Sequence, residues 1–331
     1  MRISRMIATR SNQIAGIIAR FRQGGKVLII SHISPDGDSI GSQLALYELL
    51  KKLGCDPMIV NHDSAFPKYA FLSKHHLVNV YDSNKSYPKF DFAVILEAPD
   101  IERVGSVRNL LSGVEVINID HHRGNTMHGT INWLDESVAA VGIMVYELFL
   151  AAQVAIDRDV ADELFTAILT DTGRFRFGST NPQAMRVCAD LLEKGASTKK
   201  ISDALYATFE PNQLRMLGEL LATMEIHHGG KSCLLLASKP VREKYGKNPD
   251  EMEGLSEYSL YTSGVKIGAL LRELEPNRTK VSLRCHDDYD VAAIAAVHGG
   301  GGHRNAAGCS INLPFAQARE QILAQIGKAF E

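Results

Sequence analysis

The sequence predicts an α/β fold: an N-terminal parallel-sheet domain, a smaller C-terminal α+β domain and a helical connector between them. Three observations carry this. Short, almost wholly apolar runs alternate with helix-period segments through the first half, and strands apolar on both faces belong to parallel sheets covered by helices. From Asp190 to Glu225 the pattern is helical, with no strand candidate. Beyond it, longer strands separated by turns set a different rhythm. A chain of 331 residues has room for about two domains. The boundaries expected are residues 1–190, 191–225 and 226–331.

The elements follow in order. The first 35 residues hold Arg2, Arg5, Arg10, Arg20, Arg22 and Lys26 and no acid. That composition is close to a transit peptide, but Ile14, Ile17, Ile18 and Phe21 fall at helical spacing, so a helix packed on the body is expected. KVLII (Lys26–Ile30) reads as a buried strand. Ile40 to Leu53 follows at helical period and stops at Gly54, a helix-ending residue. PMIV (Pro57–Val60), FAVIL (Phe92–Leu96) and VEVINI (Val114–Ile119) are further strands. Helices are expected near Val107–Leu111, Val138–Ala152 and Val160–Leu169. In the second half, Ser232–Ser238, Gly264–Glu273 and Lys280–His286 are strands, and Val291–Val297 and Phe315–Ala329 are helices.

Composition narrows the function classes. Hydrophobic residues at 45% and charged residues at 22% describe an ordinary globular chain and exclude a disordered or collagenous one. A net charge of −2 excludes coating long duplexes through bulk positive charge, while leaving room for a short phosphate ligand. Cys55, Cys188, Cys233, Cys285 and Cys309 are scattered and form no CxxC pair, which points to a reducing cytoplasm. No apolar run reaches the roughly 20 residues of a spanning helix, so no membrane partner is expected.

In an open α/β sheet, ligands bind beyond the carboxyl ends of the strands. SHISPDGDSIGS follows the first strand and supplies His32, Asp36 and Asp38. FAVIL is followed by Glu97 and Asp100, VEVINI by Asp120, His121 and His122, and the helix ending at Thr170 by Asp171. Each piece alone has a plain structural explanation: Asp-Gly-Asp is a common turn and helix cap, and adjacent histidines often lie on surfaces. Together they deliver carboxylates and imidazoles to one sheet edge. Such donors suit Mn2+, Mg2+ or Fe2+ better than a thiolate-type zinc site. Their number exceeds what one tetrahedral ion uses and suits a pair of ions.

HISPDGDSIGS, the INIDHH segment and DTGRF together resemble the DHH phosphoesterase superfamily, and GGGGHRNAAG (Gly299–Gly308) resembles the glycine-rich signature of the DHH-associated C-terminal domain. Length and layout are most similar to the NrnA-type group, oligoribonucleases acting on very short RNA that often also dephosphorylate 3′-phosphoadenosine 5′-phosphate (pAp). The resemblance implies two divalent ions, Mn2+ first, with Mg2+, Fe2+ or Co2+ as alternatives. It implies that His32 and Asp36 hold one ion, that Asp38, His121 and Asp171 hold the other, and that the residue at Glu97 bridges both. His122 would face the substrate phosphate and Asp120 would orient the histidines. Arg103 matches a basic position after the Glu97 motif. The family usually has Asp where this chain has Glu97, one methylene longer, and Asp100 is the candidate substitute ligand.

In the C-terminal half, Arg284 and the run Gly299, Gly300, Gly301, Gly302 and His303 are the candidate substrate-binding residues. Glycines let backbone amides approach an anion, and a guanidinium binds phosphate through two parallel hydrogen bonds. The resemblance leaves a homodimer open. Arg272 is expected in a strand-edge salt bridge, His75, His76, His227 and His228 as structural or surface residues, and Trp133 in the core. Three readings remain: hydrolysis of short RNA or pAp, hydrolysis of a linear or cyclic dinucleotide such as pGpG or c-di-AMP, and a nucleotide-binding module whose metal centre Glu97 has spoiled.

Overall fold

Strand polarity and burial explain both sheets of the chain. The computed structural model describes residues 2–65, 67–245, 254–286 and 289–331. They divide into two compact units, Met1–Thr208 and Phe209–Glu331.

The first unit runs α1 (Arg2–Phe21), β1 (Gly25–Ile30), α2 (Gly37–Lys52), β2 (Cys55–Asn61), β3 (Val78–Val80) and β4 (Phe92–Leu96). A 3₁₀ segment (Ile101–Leu110) precedes β5 (Glu115–Asp120), β6 (Ile131–Leu134), α3 (Val141–Ala152), α4 (Arg158–Asp171), α5 (Pro182–Glu193) and α6 (Thr198–Ser202). The six strands stand in the order β3-β2-β1-β4-β5-β6, and every neighbouring pair is parallel. Both faces are covered. Val27 and Ile29 of β1 join the core beneath α1–α4, whereas Leu28 and Ile30 join a second core with Val104 and Val107 of the 3₁₀ segment. Such burial contributes roughly 1.5–3 kcal/mol per large side chain. The N-terminal helix is seated as its spacing predicts: Ile17, Ile18 and Phe21 are buried, and Phe21 stacks on Phe92.

Two strands of this unit escaped the sequence reading, as did β7, β11 and β12 of the second (Glu225–His227, Gly301–His303 and Ala306–Ile311). β3 has three residues and β6, INWL, carries a polar Asn132; both are short edge strands, which need little apolar sequence. Trp133, on β6, lies in the core. The expected helix at Val107–Leu111 is the end of the 3₁₀ segment, kinked at Gly105, whose φ is 61°. The chain lays β2 and β3 on one side of β1, then crosses back to place β4 on the other. Connections leaving β1 and β4 therefore diverge, which opens a crevice at their carboxyl ends.

The second unit runs α7 (Pro211–Ala222), β7 (Glu225–His227), β8 (Ser232–Ala237), α8 (Lys239–Tyr245), β9 (Ile267–Glu275), β10 (Arg278–Cys285), α9 (Val291–Ala296), β11 (Gly301–His303), β12 (Ala306–Ile311) and α10 (Phe315–Lys328). Its sheet has the order β11-β12-β10-β9-β8-β7. β8 and β9 are parallel and the other pairs antiparallel. Ile322 and Ile326 of α10 cover one face, and Met216, Leu217 and Leu220 of α7 the other. The division at Thr208 falls inside the segment expected to be a connector, with α5 and α6 in the first unit and α7 in the second.

Two features of this unit go beyond the sequence reading. The end of the glycine run is a strand: β11 pairs antiparallel with β12. A Cβ at Gly300 would meet Gly308 O at 2.2 Å, and one at Gly302 would meet Ala306 O at 2.5 Å, so close strand packing requires both glycines. Arg272 sits on β9, inside the sheet rather than at its edge, and donates to Ser282 Oγ at 3.2 Å.

Candidate active site

The crevice at the ends of β1 and β4 collects the acids and imidazoles. The loop after β1 carries His32 and Asp36. Asp36 caps α2, its Oδ1 accepting from Ser39 N at 3.0 Å. The same oxygen lies 4.0 Å from His32 Nε2. His32 Nδ1 donates to the Ile33 carbonyl at 2.8 Å, which turns Nε2 into the crevice. Burial, together with the Arg103 charge, holds the His32 pKa below its ordinary value, against the pull of Asp36, so the ring is a neutral donor.

Asp38 follows on the first turn of α2 and is fully buried. Its Oδ2 accepts from Val141 N at 2.6 Å, and its Oδ1 accepts from Gly142 N at 2.9 Å and Ser42 Oγ at 2.9 Å. The N-terminus of α3 thus stabilises the carboxylate. α2 must lie close to α4 for Asp38 to reach Asp171. A Cβ at Gly41 would strike Glu163 O at 2.3 Å, so only glycine permits that approach.

Asp120 ends β5 and organises both histidines. Its Oδ1 accepts from His121 N at 2.8 Å and from His122 Nδ1 at 2.8 Å, while Asn125 Nδ2 donates to its Oδ2 at 2.6 Å. Burial pushes the Asp120 pKa up, but the His122 and Asn125 hydrogen bonds bring it to about 2. His121 Nδ1 donates to Val138 O at 3.2 Å, and its Nε2 lies 3.6 Å from Asp171 Oδ2. Burial lowers the His121 pKa, yet the charges of Asp171 and Asp38 outweigh it and hold the group above its ordinary value.

Glu97 occupies the centre. It is fully buried just past β4, with φ at 60°, a backbone conformation that non-glycine residues rarely adopt. Its Oε2 accepts from Ser39 Oγ at 2.7 Å and lies 3.8 Å from His32 Nε2. Its Oε1 is buried with no hydrogen-bond partner among the described residues.

Three sets of donor atoms each lie within 4.8 Å of one another: His32, Asp36 and Glu97; Glu97, His121 and His122; and Asp38, His121 and Asp171. Glu97 belongs to two sets and links them. Burial and mutual repulsion raise the Asp38 pKa to about 8 and the Asp171 pKa to about 6, and push Glu97 well above the usual carboxylate range. Two ionised carboxylates at such separation repel by on the order of 3 kcal/mol at an effective dielectric of about 20. A divalent cation offsets that cost, so the donor set fits a metal.

All six residues expected as ligands meet here, and His122 joins them at ligand distance. Asp100 does not: it caps the 3₁₀ segment through Arg103 N at 3.0 Å. The Arg103 carbonyl accepts from Ile33 N at 2.7 Å, tying this segment to the His32 loop. Ser39, Ser42 and Asn125 were missed. Nothing in their sequence setting distinguishes them from ordinary capping and turn residues.

The second unit holds the remaining candidates. Arg284 lies on β10 between Gly268 of β9 and Ala306 of β12 and donates from Nη1 to Leu283 O at 2.9 Å. Gly299 N and Gly300 N donate to Ala296 O and Ala295 O, each at 3.0 Å, so two amides of the glycine run are engaged within the chain. The side chain of His303 lies outside the described residues.

Comparison with known proteins agrees with these features. The DHH family N-terminal domain matches residues 26–168 and the DHHA1 domain residues 233–331. The chain is similar to bifunctional oligoribonuclease and PAP phosphatase NrnA of Thermus thermophilus, at 35% identity over 91% of this chain and 89% of that protein. It is similar to the protein of the same name from Bacillus subtilis at 26% identity, covering 86% and 89%. Among solved structures, an exopolyphosphatase-related protein from Bacteroides fragilis matches with a TM-score of 0.89 and 24% identity over 96% of both chains. With both domain models matched in order and a 35% identical relative spanned almost end to end, the chain belongs to the DHH family.

Proposed function

We propose that this chain is a metal-dependent phosphoesterase that hydrolyses very short oligoribonucleotides to nucleoside 5′-monophosphates, and pAp to AMP and phosphate. The names of the two relatives support the substrate class. The observation that carries the reading is the position of Glu97, shared by two donor sets in one buried crevice.

Two divalent ions, Mn2+ foremost, are the proposed cofactor. His32, Asp36 and Glu97 would hold one, and Glu97, Asp38, His121 and Asp171 the other. When bound, such ions lower the pKa of a shared water and neutralise phosphoryl oxygens. The protein's own groups do the rest. Asp120 accepts the His122 Nδ1–H and so orients the ring; with a proton on Nε2 as well, His122 would donate to a phosphoryl oxygen. Arg103 supplies positive charge beside His32. Water oxygen bonds to phosphorus as the bond to the leaving oxygen breaks, and a water proton ends on that oxygen. Arg284, His303 and the Gly299–Gly302 run are the proposed hold on the nucleotide. No helix among the described residues is long and apolar enough to cross a membrane.

A product time course tests this. RNAs of two to five nucleotides, a long RNA, pAp and pGpG are incubated with Mn2+ or Mg2+. Mononucleotide release from the shortest RNAs and phosphate release from pAp are expected. Equal rates on long RNA, or hydrolysis of pGpG alone, would overturn the substrate assignment. A spoiled metal centre predicts no turnover at all, and the convergence of the six donors speaks against it.

A further inference from the structure

Among the described residues, Ser39 is the one hydroxyl that touches the central carboxylate. It is buried, as is Ser31, which donates to it at 2.7 Å. Glu97 holding a cation is ionised and can only accept, so in that state Ser39 donates to Glu97 Oε2 and Ser31 donates to Ser39. The chain of donors runs one way, from the end of β1 through α2 to Glu97. Ser31 is held in turn: its backbone N–H donates to Asn61 Oδ1 at 3.1 Å, and Gln43 and Asn61 exchange amide hydrogen bonds at 2.8 Å.

The consequence for Glu97 is orientational. Oε2 is fixed on the His32 side, and Oε1 is left buried with no hydrogen-bond partner among the described residues. Resting on the metal-centre reading above, we propose that Ser39 is a positioning residue matched to Glu97. Its hydroxyl fixes the longer carboxylate so that each oxygen faces a different donor set. Aspartate at this place would withdraw the carboxylate by roughly 1.5 Å, about one carbon–carbon bond, and take it out of reach of the Ser39 hydroxyl. Ser39 therefore matters with glutamate and not with aspartate.

A double-mutant cycle on metal binding tests the match. Mn2+ is titrated calorimetrically into the unaltered chain, Ser39→Ala, Glu97→Asp and the double variant, and each is melted without metal. Outer hydrogen bonds to metal ligands typically carry 10–100-fold in affinity, so Ser39→Ala is expected to weaken Mn2+ binding at least tenfold while the metal-free Tm stays within about 2 °C. In the Glu97→Asp background the same change is expected to alter affinity less than twofold. Equal effects in both backgrounds, or affinity in Ser39→Ala within twofold of the original, would overturn the proposal. So would a fall in metal-free Tm large enough to account for the weaker binding, which would make Ser39 merely structural. If the unaltered chain binds no Mn2+, the metal centre itself fails, and this role with it.

Discussion

His122 Nδ1 lies 2.8 Å from Asp120 Oδ1, and the same carboxylate oxygen accepts the backbone N–H of His121. One acid thus fixes both histidines. Asp120→Asn keeps the shape but offers an amide in place of a carboxylate. The expected result is a 10–100-fold loss in kcat on a dinucleotide, with the circular dichroism spectrum unchanged. An unaltered kcat would remove Asp120 from the positioning role.

Asp38 performs two tasks, capping α3 and facing His121 and Asp171. Asp38→Ala should abolish hydrolysis. Loss of the cap costs about 1 kcal/mol, but above pH 8, where Asp38 is ionised, relief of its repulsion from Asp171 offsets it. Little change in metal-free Tm is therefore expected there alongside a dead enzyme. Full activity in the purified variant would refute the assignment.

Metal binding should couple to pH. The raised pKa values of Asp38, about 8, and Asp171, about 6, mean that the metal-free folded state holds protons that the unfolded chain has released. Its stability is full at low pH and falls as pH rises through that window. A cation competes with those protons, so the rise in Tm on adding Mn2+ should be larger at pH 8.5 than at pH 6. At 100 times Kd the stabilisation is about 2.7 kcal/mol. Differential scanning calorimetry with and without chelator reads it directly, and a pH-independent shift would contradict this.

Glu163 offers a control away from the crevice chemistry. It is buried on α4, neither carboxyl oxygen has a hydrogen-bond partner among the described residues, and burial raises its pKa to about 8. Its folded value exceeds the unfolded one, so stability is lost between about pH 4.5 and 8, at ~1.4 kcal/mol per unit. Glu163→Gln should raise Tm by several degrees at pH 8.5 and by little at pH 5. Equal melting of the two chains at pH 8.5 would count against it.

The glycine run can be divided by substitution. A Cβ at Gly300 meets backbone at 2.2 Å, whereas one at Gly301 meets nothing within 4 Å. Gly300→Ala should cost about 1–3 kcal/mol through overpacking, and Gly301→Ala should leave Tm nearly unchanged. Chemical denaturation distinguishes them.

Much of this was legible in the sequence because apolar strands and strand-end acids are local signals. Val27–Ile30 and Phe92–Leu96 announce a two-sided core, and the residues after them announce a site. The edge strands β3 and β6 carry no such signal, being short and partly polar. The β11–β12 pairing was not legible because glycine marks both a loop and a tightly packed hairpin, and only the neighbouring strand shows that Gly301–His303 is paired. Ser39 was invisible for a similar reason: a serine three residues after Asp36 reads as part of a helix start, and its link to Glu97 spans 58 positions.

The crossover between β1 and β4 bears on how the crevice responds to damage. The opening arises from the path of the main chain, not from the bulk of any side group along its walls. Removing a single donor should silence turnover without shutting the door. Inactive variants of this kind are natural traps, able to retain an uncleaved nucleotide long enough for it to be seen.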